Sequence, residues 1–74
     1  MGVVAETERE IIGDAVQKDR RRAGLSQEAL AEKVDTHTNY VGRIERGERS
    51  ATVPILLRVA RTLGVRPHKL FLKL

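Results

Sequence analysis

The segment that runs from residue 25 to residue 47 constrains the fold of this chain more than any other part of it. It predicts two short helices separated by a tight turn. The hydroxyl of Ser26 can accept a hydrogen bond from the backbone N–H groups that open the first helix, and apolar residues recur at helical spacing as far as Val34. Three non-apolar residues follow, the second helix begins at Thr38, and Gly47 can end it in a left-handed conformation.

Two such helices joined by a turn of about three or four residues form the helix-turn-helix arrangement, which many proteins use to place a helix in the major groove of DNA. The predicted motif spans about residues 26–47. No recognisable set of nucleophile, base and orienting group stands elsewhere in the chain, and no glycine-rich phosphate loop is present. The sequence therefore predicts a DNA-binding regulator and not an enzyme.

Helical periodicity and helix-end signals extend over the rest of the chain, and no alternating strand pattern is visible. They predict five helices, at residues 7–23, 26–34, 38–46, 53–63 and 67–74. In the fourth helix, a stripe is expected to face the core, formed by Val53, Leu56, Ala60 and Leu63. A chain of 74 residues has room for one domain, so we expect residues 1–74 to form a compact all-α bundle of five helices with its core in residues 7–72.

Composition excludes several classes of protein. The chain has no cysteine and only two separated histidines, so it offers neither a disulfide framework nor a thiolate zinc site, and we predict no metal and no cofactor. No apolar run approaches the roughly 20 residues that span a bilayer, and the apolar start of the chain is too short for a signal peptide. We therefore expect a cytoplasmic protein with no membrane partner and no small-molecule substrate.

The net charge of +4 is unevenly distributed. Residues 1–19 carry five acids and two bases, whereas residues 20–74 carry twelve bases and five acids. A basic body of this kind is the electrostatic footprint of a polyanion partner, although a solvated charged surface would look the same. Tyr40 and Phe71 are the only aromatic residues, so the stacking platforms of a single-strand binder are missing and double-stranded DNA is the favoured partner.

Several ordered motifs between residues 11 and 72 closely resemble the phage-repressor-like, or XRE-like, helix-turn-helix family, which includes the Cro and lambda repressor type proteins. The motifs are Leu25-Ser26-Gln27-Glu28, Tyr40-Val41-Gly42, Ile44-Glu45-Arg46-Gly47-Glu48-Arg49 and Leu63-Gly64-Val65. The second and third of them, in a chain this short, most resemble the small controller proteins of restriction-modification systems. The resemblance implies a five-helix bundle of the lambda-repressor-like type, a symmetric dimer, and a third helix that lies in the major groove.

The resemblance also assigns residues to a DNA interface. Gln27 corresponds to a phosphate contact that also braces the reading helix, and Thr38, Asn39 and Arg43 stand where the family reads base edges. Arg49, in the loop after the third helix, matches a base or phosphate contact in controller proteins. An Asn side chain can bond adenine at two atoms, and an Arg side chain can do the same with guanine. The complete predicted interface is Gln27, Thr38, Asn39, Tyr40, Arg43, Arg46 and Arg49.

Each of these assignments has an alternative. The threonine, asparagine and arginine of the third helix could be ordinary solvent-facing residues. Arg46 and Arg49 could be solvated or bond helix-end carbonyls, and Tyr40 could pack against its own domain.

Arg20 and Glu45 match positions that form a partly buried ion pair in the family, so we predict a structural role for both.

The chain has more apolar residues than so small a core can bury, which predicts a dimer interface. Ile55 and Val59 lie beside the predicted core stripe of the fourth helix, and other apolar residues crowd the C-terminal helix. The predicted interface is Ile55, Val59, Leu70, Phe71, Leu72 and Leu74. Leu70 and Phe71 could instead close the core of the monomer. A two-fold homodimer requires a near-palindromic site with half-sites about one helical turn apart.

The sequence therefore predicts a homodimeric transcriptional regulator of the controller type that binds a near-palindromic operator. Binding over a promoter would block RNA polymerase and binding just upstream would recruit it, a choice that the sequence leaves open. An antitoxin or a phage-type repressor is an alternative within the DNA-binding class. A helical protein-interaction module without DNA binding is the alternative from a different class.

Overall fold

The computed structural model describes residues 7–67, and these residues form four α-helices and no β-strand. The helices are α1 (Glu8–Arg22), α2 (Gln27–Lys33), α3 (Thr38–Glu45) and α4 (Val53–Leu63). The all-α prediction is confirmed for this part of the chain, and the predicted helix ends differ from the observed ones only at cap residues. The predicted fifth helix lies outside the described residues except for Pro67, so the count of five is not confirmed.

Side-chain caps fix where three of these helices begin. At α1, the Thr7 hydroxyl accepts from the backbone N–H of Glu10 at 3.2 Å, and the Glu10 carboxylate accepts from the backbone N–H of Thr7 at 2.9 Å. The hydrogen bonds that Thr7 donates, first from its backbone and then from its hydroxyl, hold the pKa of Glu10 below its usual 4.5. Ser26 caps α2 as the sequence predicts, and Thr52 caps α4.

The turn after α3 requires glycine for two reasons. Gly47 has a φ of 73°, in the left-handed region, and the N–H groups of Gly47 and Glu48 donate to the carbonyls of Ile44 and Arg43 at 3.0 and 2.9 Å. A Cβ on Gly47 would also lie 2.6 Å from Cγ of Glu10. The prediction that Gly47 ends α3 is confirmed, and the turn packs directly on the first turn of α1.

The core lies where four pairs of helices meet. Helix α3 packs against α1 and α2, and α4 packs against the same two helices. The buried cluster consists of Val16, Leu30, Ala31, Val34, Val41, Leu56, Val59 and Ala60. None of the helices in residues 7–67 is long and apolar enough to span a membrane.

Gly13 allows α1 and α3 to approach at backbone distance. A Cβ built on Gly13 would overlap the carbonyl oxygen of Ile44 and would lie 2.9 Å from that of Glu45. Only glycine fits at this crossing. The contact holds the C-terminal end of α3 against α1, and it therefore fixes the orientation of the opposite, exposed face of α3.

The predicted core stripe of α4 is correct in part. Leu56 and Ala60 are buried and Leu63 packs against the core, but Val53 is 66% exposed. Val59, which we expected beside the core, is only 3% exposed and belongs to it. The two valines flank the Leu56 and Ala60 stripe on opposite sides of the helix, so helical spacing admits either one. Packing against α1 and α2 decides in favour of Val59.

Candidate nucleic-acid interface

Helix α3 has one buried face and one exposed face. The buried face consists of Val41, Gly42, Ile44 and Glu45. Thr38, Asn39 and Arg43, the three residues predicted to read base edges, are all exposed. Asn39 and Arg43 are four residues apart, so their side chains are neighbours on the helix surface. The exposed face of α3 thus presents an amide and a guanidinium side by side.

A buried carboxylate anchors the opposite face of α3. Arg20 Nε donates to Glu45 Oε2 at 2.6 Å, and Arg20 Nη2 donates to Glu45 Oε1 at 3.1 Å. The side chains of Arg20 and Glu45 are 9% and 0% exposed. Arg20 Nη1 also donates to the carbonyl of Leu25 at 2.8 Å. The two residues expected to pair are therefore brought together, and their bidentate contact ties α3 to α1 and to the turn before α2.

Two glutamines complete the bonding of this carboxylate. Gln27 Nε2 donates to Glu45 Oε1 at 2.9 Å, and Gln17 Nε2 approaches the same oxygen at 3.5 Å. The bracing role expected for Gln27 thus has a visible partner, whereas Gln17 was missed by the sequence reasoning. The sequence feature that could have identified Gln17 is its position one helical turn before Arg20, which puts both side chains on the same face of α1. Within residues 7–67, no buried side-chain nitrogen or oxygen lacks a hydrogen-bond partner.

Arg49, in the loop between α3 and α4, lies over the ring of Tyr40. Its Cζ is 5.3 Å from the ring centroid, a cation–π distance. Together with His37, Asn39 and Arg43, these two residues line a shallow depression at the start of α3. Four of the residues predicted for the interface therefore share one surface. Tyr40 is half-buried in this arrangement and keeps one face for Arg49.

Arg46, at the C-terminal end of α3, is paired within its own loop. Its Nε and Nη2 donate to the two carboxylate oxygens of Glu48 at 3.0 and 3.3 Å. The hydrogen bond from Arg46 lowers the pKa of Glu48, and the same contact raises the pKa of Arg46. Both side chains are about half exposed. Arg46 thus contributes less uncompensated positive charge to this surface than Arg43 or Arg49.

Thr38, the remaining residue of the predicted interface, lies outside the depression that Tyr40 and Arg49 line. It lines a separate, polar depression with Glu32 and Asp35. No group of three or more His, Cys, Asp or Glu side chains in the described part of the chain is placed to hold a metal ion. The surface as described can offer hydrogen-bond donors and positive charge to a polyanion.

Two of the six residues predicted for a dimer interface, Ile55 and Val59, lie in the described part of the chain. Val59 is buried within the monomer, and Ile55 is half-buried and packs against the core. Leu70, Phe71, Leu72 and Leu74 lie outside the described residues. On α4, the large apolar side chains that remain exposed are Val53 and Leu57, at 66% and 43%. These two residues are one helical turn apart and share a face.

Comparison with known proteins places this surface in a family context. Residues 16–70 match the family described as Helix-turn-helix. The control protein C.SmaI of Serratia marcescens is 39% identical to the chain over 62 residues, which cover 84% of this chain and 74% of that protein.

Two solved structures share the fold. The restriction-modification controller protein C.AhdI of Aeromonas hydrophila superposes with a TM-score of 0.83 at 34% identity, covering 86% of this chain and 97% of that one. The biofilm master regulator SinR, solved in complex with DNA, superposes with a TM-score of 0.77 at 31% identity, covering 81% of this chain and 97% of that one.

Proposed function

The chain belongs to the helix-turn-helix family, as its sequence predicts, and on that basis we propose that it is a sequence-specific regulator of transcription that binds double-stranded DNA. The observation that carries the proposal is the exposed face of α3, where Asn39 and Arg43 lie side by side on a helix whose other face is locked by Glu45. Similarity to a control protein and to a restriction-modification controller favours the controller type of regulator. Similarity to a regulator solved with DNA supports DNA as the partner.

In this proposal α3 lies in the major groove and reads bases through two residues. The Asn39 amide can form two hydrogen bonds with adenine, and the Arg43 guanidinium can form two with guanine. Thr38 adds a hydroxyl at the start of the helix. Gln27 contacts a phosphate through its amide nitrogen. That nitrogen has two hydrogens, and since one is donated to Glu45, the other is left for the phosphate. Base contacts would set the sequence preference, and the phosphate contact would set the register.

We further propose that two copies bind a near-palindromic operator, with their α3 helices about 34 Å apart. Ile55 and the C-terminal residues Leu70, Phe71, Leu72 and Leu74 remain candidates for the dimer interface. In this proposal Val59, which is buried in the monomer, is not part of the interface, and the exposed Leu57 of α4 is. Occupancy of the operator would block RNA polymerase at an overlapping promoter, or recruit it from an adjacent site.

The experiment that tests the proposal is selection of bound sequences from random duplex DNA by the purified protein at near-physiological salt. Enrichment of a palindrome with half-sites about one turn apart is expected. Absence of any enriched sequence would contradict the proposal and would favour the protein-interaction module.

Variants then assign the roles of residues on the selected site. Asn39→Ala and Arg43→Ala should each cost about 1–3 kcal/mol of binding free energy and relax the preference at one base pair. Gln27→Ala should weaken binding to all sequences alike. Arg61→Ala, which removes one exposed arginine from α4, is the matched control for loss of charge alone.

A further inference from the structure

The two arginines of the loop after α3 have different partners. A guanidinium carries five N–H donors along its planar edge, and its two faces can stack on aromatic rings. Arg46 uses its edge, since Nε and Nη2 both donate to Glu48. Arg49 instead makes a cation–π contact, since its Cζ lies over the ring of Tyr40, 5.3 Å from the ring centroid. This difference favours Arg49 over Arg46 for the recognition of a base.

Recognition of guanine by arginine requires the edge of the guanidinium. Two parallel N–H groups must point at O6 and N7 of the base, in the plane of the group. In Arg46, Nε and Nη2 are already bound to the Glu48 carboxylate, whose negative charge would also be brought toward the acceptor atoms of the base. Arg49 contacts the Tyr40 ring, and no hydrogen bond among residues 7–67 occupies its N–H donors, so these donors are available to a base.

The position of Tyr40 also limits the conformations of Arg49. The left-handed turn at Gly47 brings the loop back toward the start of α3, where Tyr40 lies in the first helical turn. An exposed arginine in a loop loses side-chain entropy when it binds. Stacking on a half-buried ring imposes much of that order before DNA arrives, and it does so beside Asn39 and Arg43 in one depression.

We propose that Tyr40 is a positioning residue: its ring holds the guanidinium of Arg49 so that the N–H donors of Arg49 point at a guanine. Arg49, and not Arg46, is then the specificity-determining arginine of this loop. The proposal rests on the proposed function, because it extends the reading surface of α3 by one base contact. Arg46 then supplies only a phosphate contact, weakened by its pairing with Glu48.

The first test measures operator affinity relative to a scrambled duplex. Arg49→Ala should lower this ratio roughly 5- to 150-fold, the range of a bidentate base contact, and Arg49→Lys should lower it as much because an ammonium cannot make that contact. Tyr40→Leu should lower the ratio about two- to fivefold, the worth of an exposed cation–π pair, whereas Tyr40→Phe should leave it unchanged. Arg46→Ala should weaken binding to both duplexes alike and so preserve the ratio.

A double variant identifies positioning as the cause. Tyr40→Leu should have no further effect on the ratio in the Arg49→Ala background, because the group that it positions is already absent. A merely structural role for the ring would instead add its effect to that of Arg49→Ala. The position at which guanine preference relaxes should be the same in both single variants.

A second readout needs no DNA. In the free protein, NMR should place the side-chain protons of Arg49 upfield because of the Tyr40 ring current, and this shift should persist in Tyr40→Phe and disappear in Tyr40→Leu. Amide spectra of the same samples report whether each variant is folded. If Tyr40→Leu does not fold, the comparison of Arg49→Lys with Arg46→Ala carries the test, because it leaves Tyr40 intact.

The outcomes separate this inference from the proposed function. Failure of the wild-type protein to prefer any sequence would overturn both. A selective wild-type protein whose Arg46→Ala variant loses selectivity, while Arg49→Lys keeps it, would overturn the inference alone. Equal selectivity of Tyr40→Leu and wild type, or an unshifted Arg49 spectrum in the wild type, would do the same.

Discussion

The carboxylate of Glu45, on α3, holds α1 and α2 against α3 through hydrogen bonds. It is fully buried and accepts hydrogen bonds from Arg20 and Gln27. Removal of its charge leaves the Arg20 guanidinium buried without a counter-ion, which typically costs about 3–5 kcal/mol. We predict that Glu45→Gln lowers the free energy of unfolding by that amount. Urea denaturation of the variant and the wild type, followed by circular dichroism, checks this value.

Two further variants control for the loss of a charge. The Asp14 and Lys18 pair, at 3.0 Å, is about half exposed on both sides, so Asp14→Asn should change stability by no more than about 0.5 kcal/mol. The double variant Arg20→Met, Glu45→Met should recover most of the loss, because two apolar side chains replace two buried charges. An effect of Glu45→Gln as small as that of Asp14→Asn would contradict the prediction.

The sequence predicts single residues well where the chain itself supplies the reason. Ser26 is recognisable as a cap because a hydroxyl precedes a helical stripe, and Gly47 because a glycine follows one. The cation–π contact of Arg49 with Tyr40 could not be predicted in this way, since it joins residues nine positions apart through a loop. The share of Gln17 in the Glu45 network likewise depends on how α1 crosses α3.

At the scale of helices, the crossing of α1 and α3 inverts the usual effect of a glycine. Glycine inside a helix is normally less stable than alanine by roughly 0.5–1 kcal/mol. At Gly13, however, a Cβ would overlap the backbone of α3, which cannot yield as a flexible side chain can. We predict that Gly13→Ala destabilises the protein by about 1–3 kcal/mol, the usual cost of overpacking. Thermal and urea unfolding both measure this change.

Gly42 provides the matched control within α3. Its added Cβ would lie 3.0 Å from Nη1 of Arg46 and 3.5 Å from Oε1 of Gln27, and both are ends of side chains. Arg46 can move away at little cost because it is about half exposed. Gly42→Ala should therefore be close to neutral in stability. Similar losses for Gly13→Ala and Gly42→Ala would show that helix crossing is not the cause.

The capping box of α1 predicts a pH dependence. Hydrogen bonds from Thr7 lower the pKa of Glu10 in the folded protein below 4.5. A lowered folded-state pKa means that the ionised carboxylate stabilises the fold above about pH 4.5, and that this contribution disappears as the pH falls through the folded-state value. We predict that the stability difference between wild type and Glu10→Gln shrinks on acidification across that window.

Urea midpoints measured between pH 3 and pH 7, at roughly half-unit steps, follow this difference. Glu8→Gln is the control, since Glu8 lies in the same first turn of α1 and takes no part in the capping box. Its difference from wild type should vary less with pH. Superimposable pH profiles for the two variants would argue against the capping box as the source.

Helix existence and order in residues 7–67 could be predicted from periodicity and caps, but the face of α4 could not. Val53 and Val59 both fit a stripe with Leu56, and no local signal separates them. The choice is made by tertiary packing, because α1 and α2 contact the side of α4 that carries Val59. This packing also decides which apolar residues of α4 remain exposed and available to a partner.

On the scale of the whole molecule, the proposed DNA recognition and the proposed self-association would use different helices. The candidate reading surface belongs to α3 and the loop after it, and the exposed apolar residues Val53 and Leu57 belong to α4. A two-fold dimer through α4 would couple the two roles, because it would set the spacing of the two α3 helices. Loss of the dimer should then weaken operator binding without any change in the reading residues.

Leu57→Glu tests this coupling. Leu57 is 43% exposed, so a charge there should leave the monomer folded and change the free energy of unfolding by only about 0.5 kcal/mol. In a dimer interface the same charge would be buried without a partner, so sedimentation should find a monomer at concentrations where the wild type is a dimer. Operator binding should become weaker, while the enriched half-site sequence stays the same.

The comparison with Val59→Glu separates an interface effect from loss of the fold. Val59 is 3% exposed in the core of the monomer, so a carboxylate there should unfold the chain and abolish DNA binding altogether. A folded Leu57→Glu protein that still sediments as a dimer would exclude this part of α4 from the interface. Ile55 and the apolar residues at positions 70–74 would then remain as the candidates for self-association, and charged substitutions among them would be the ones that release the monomer.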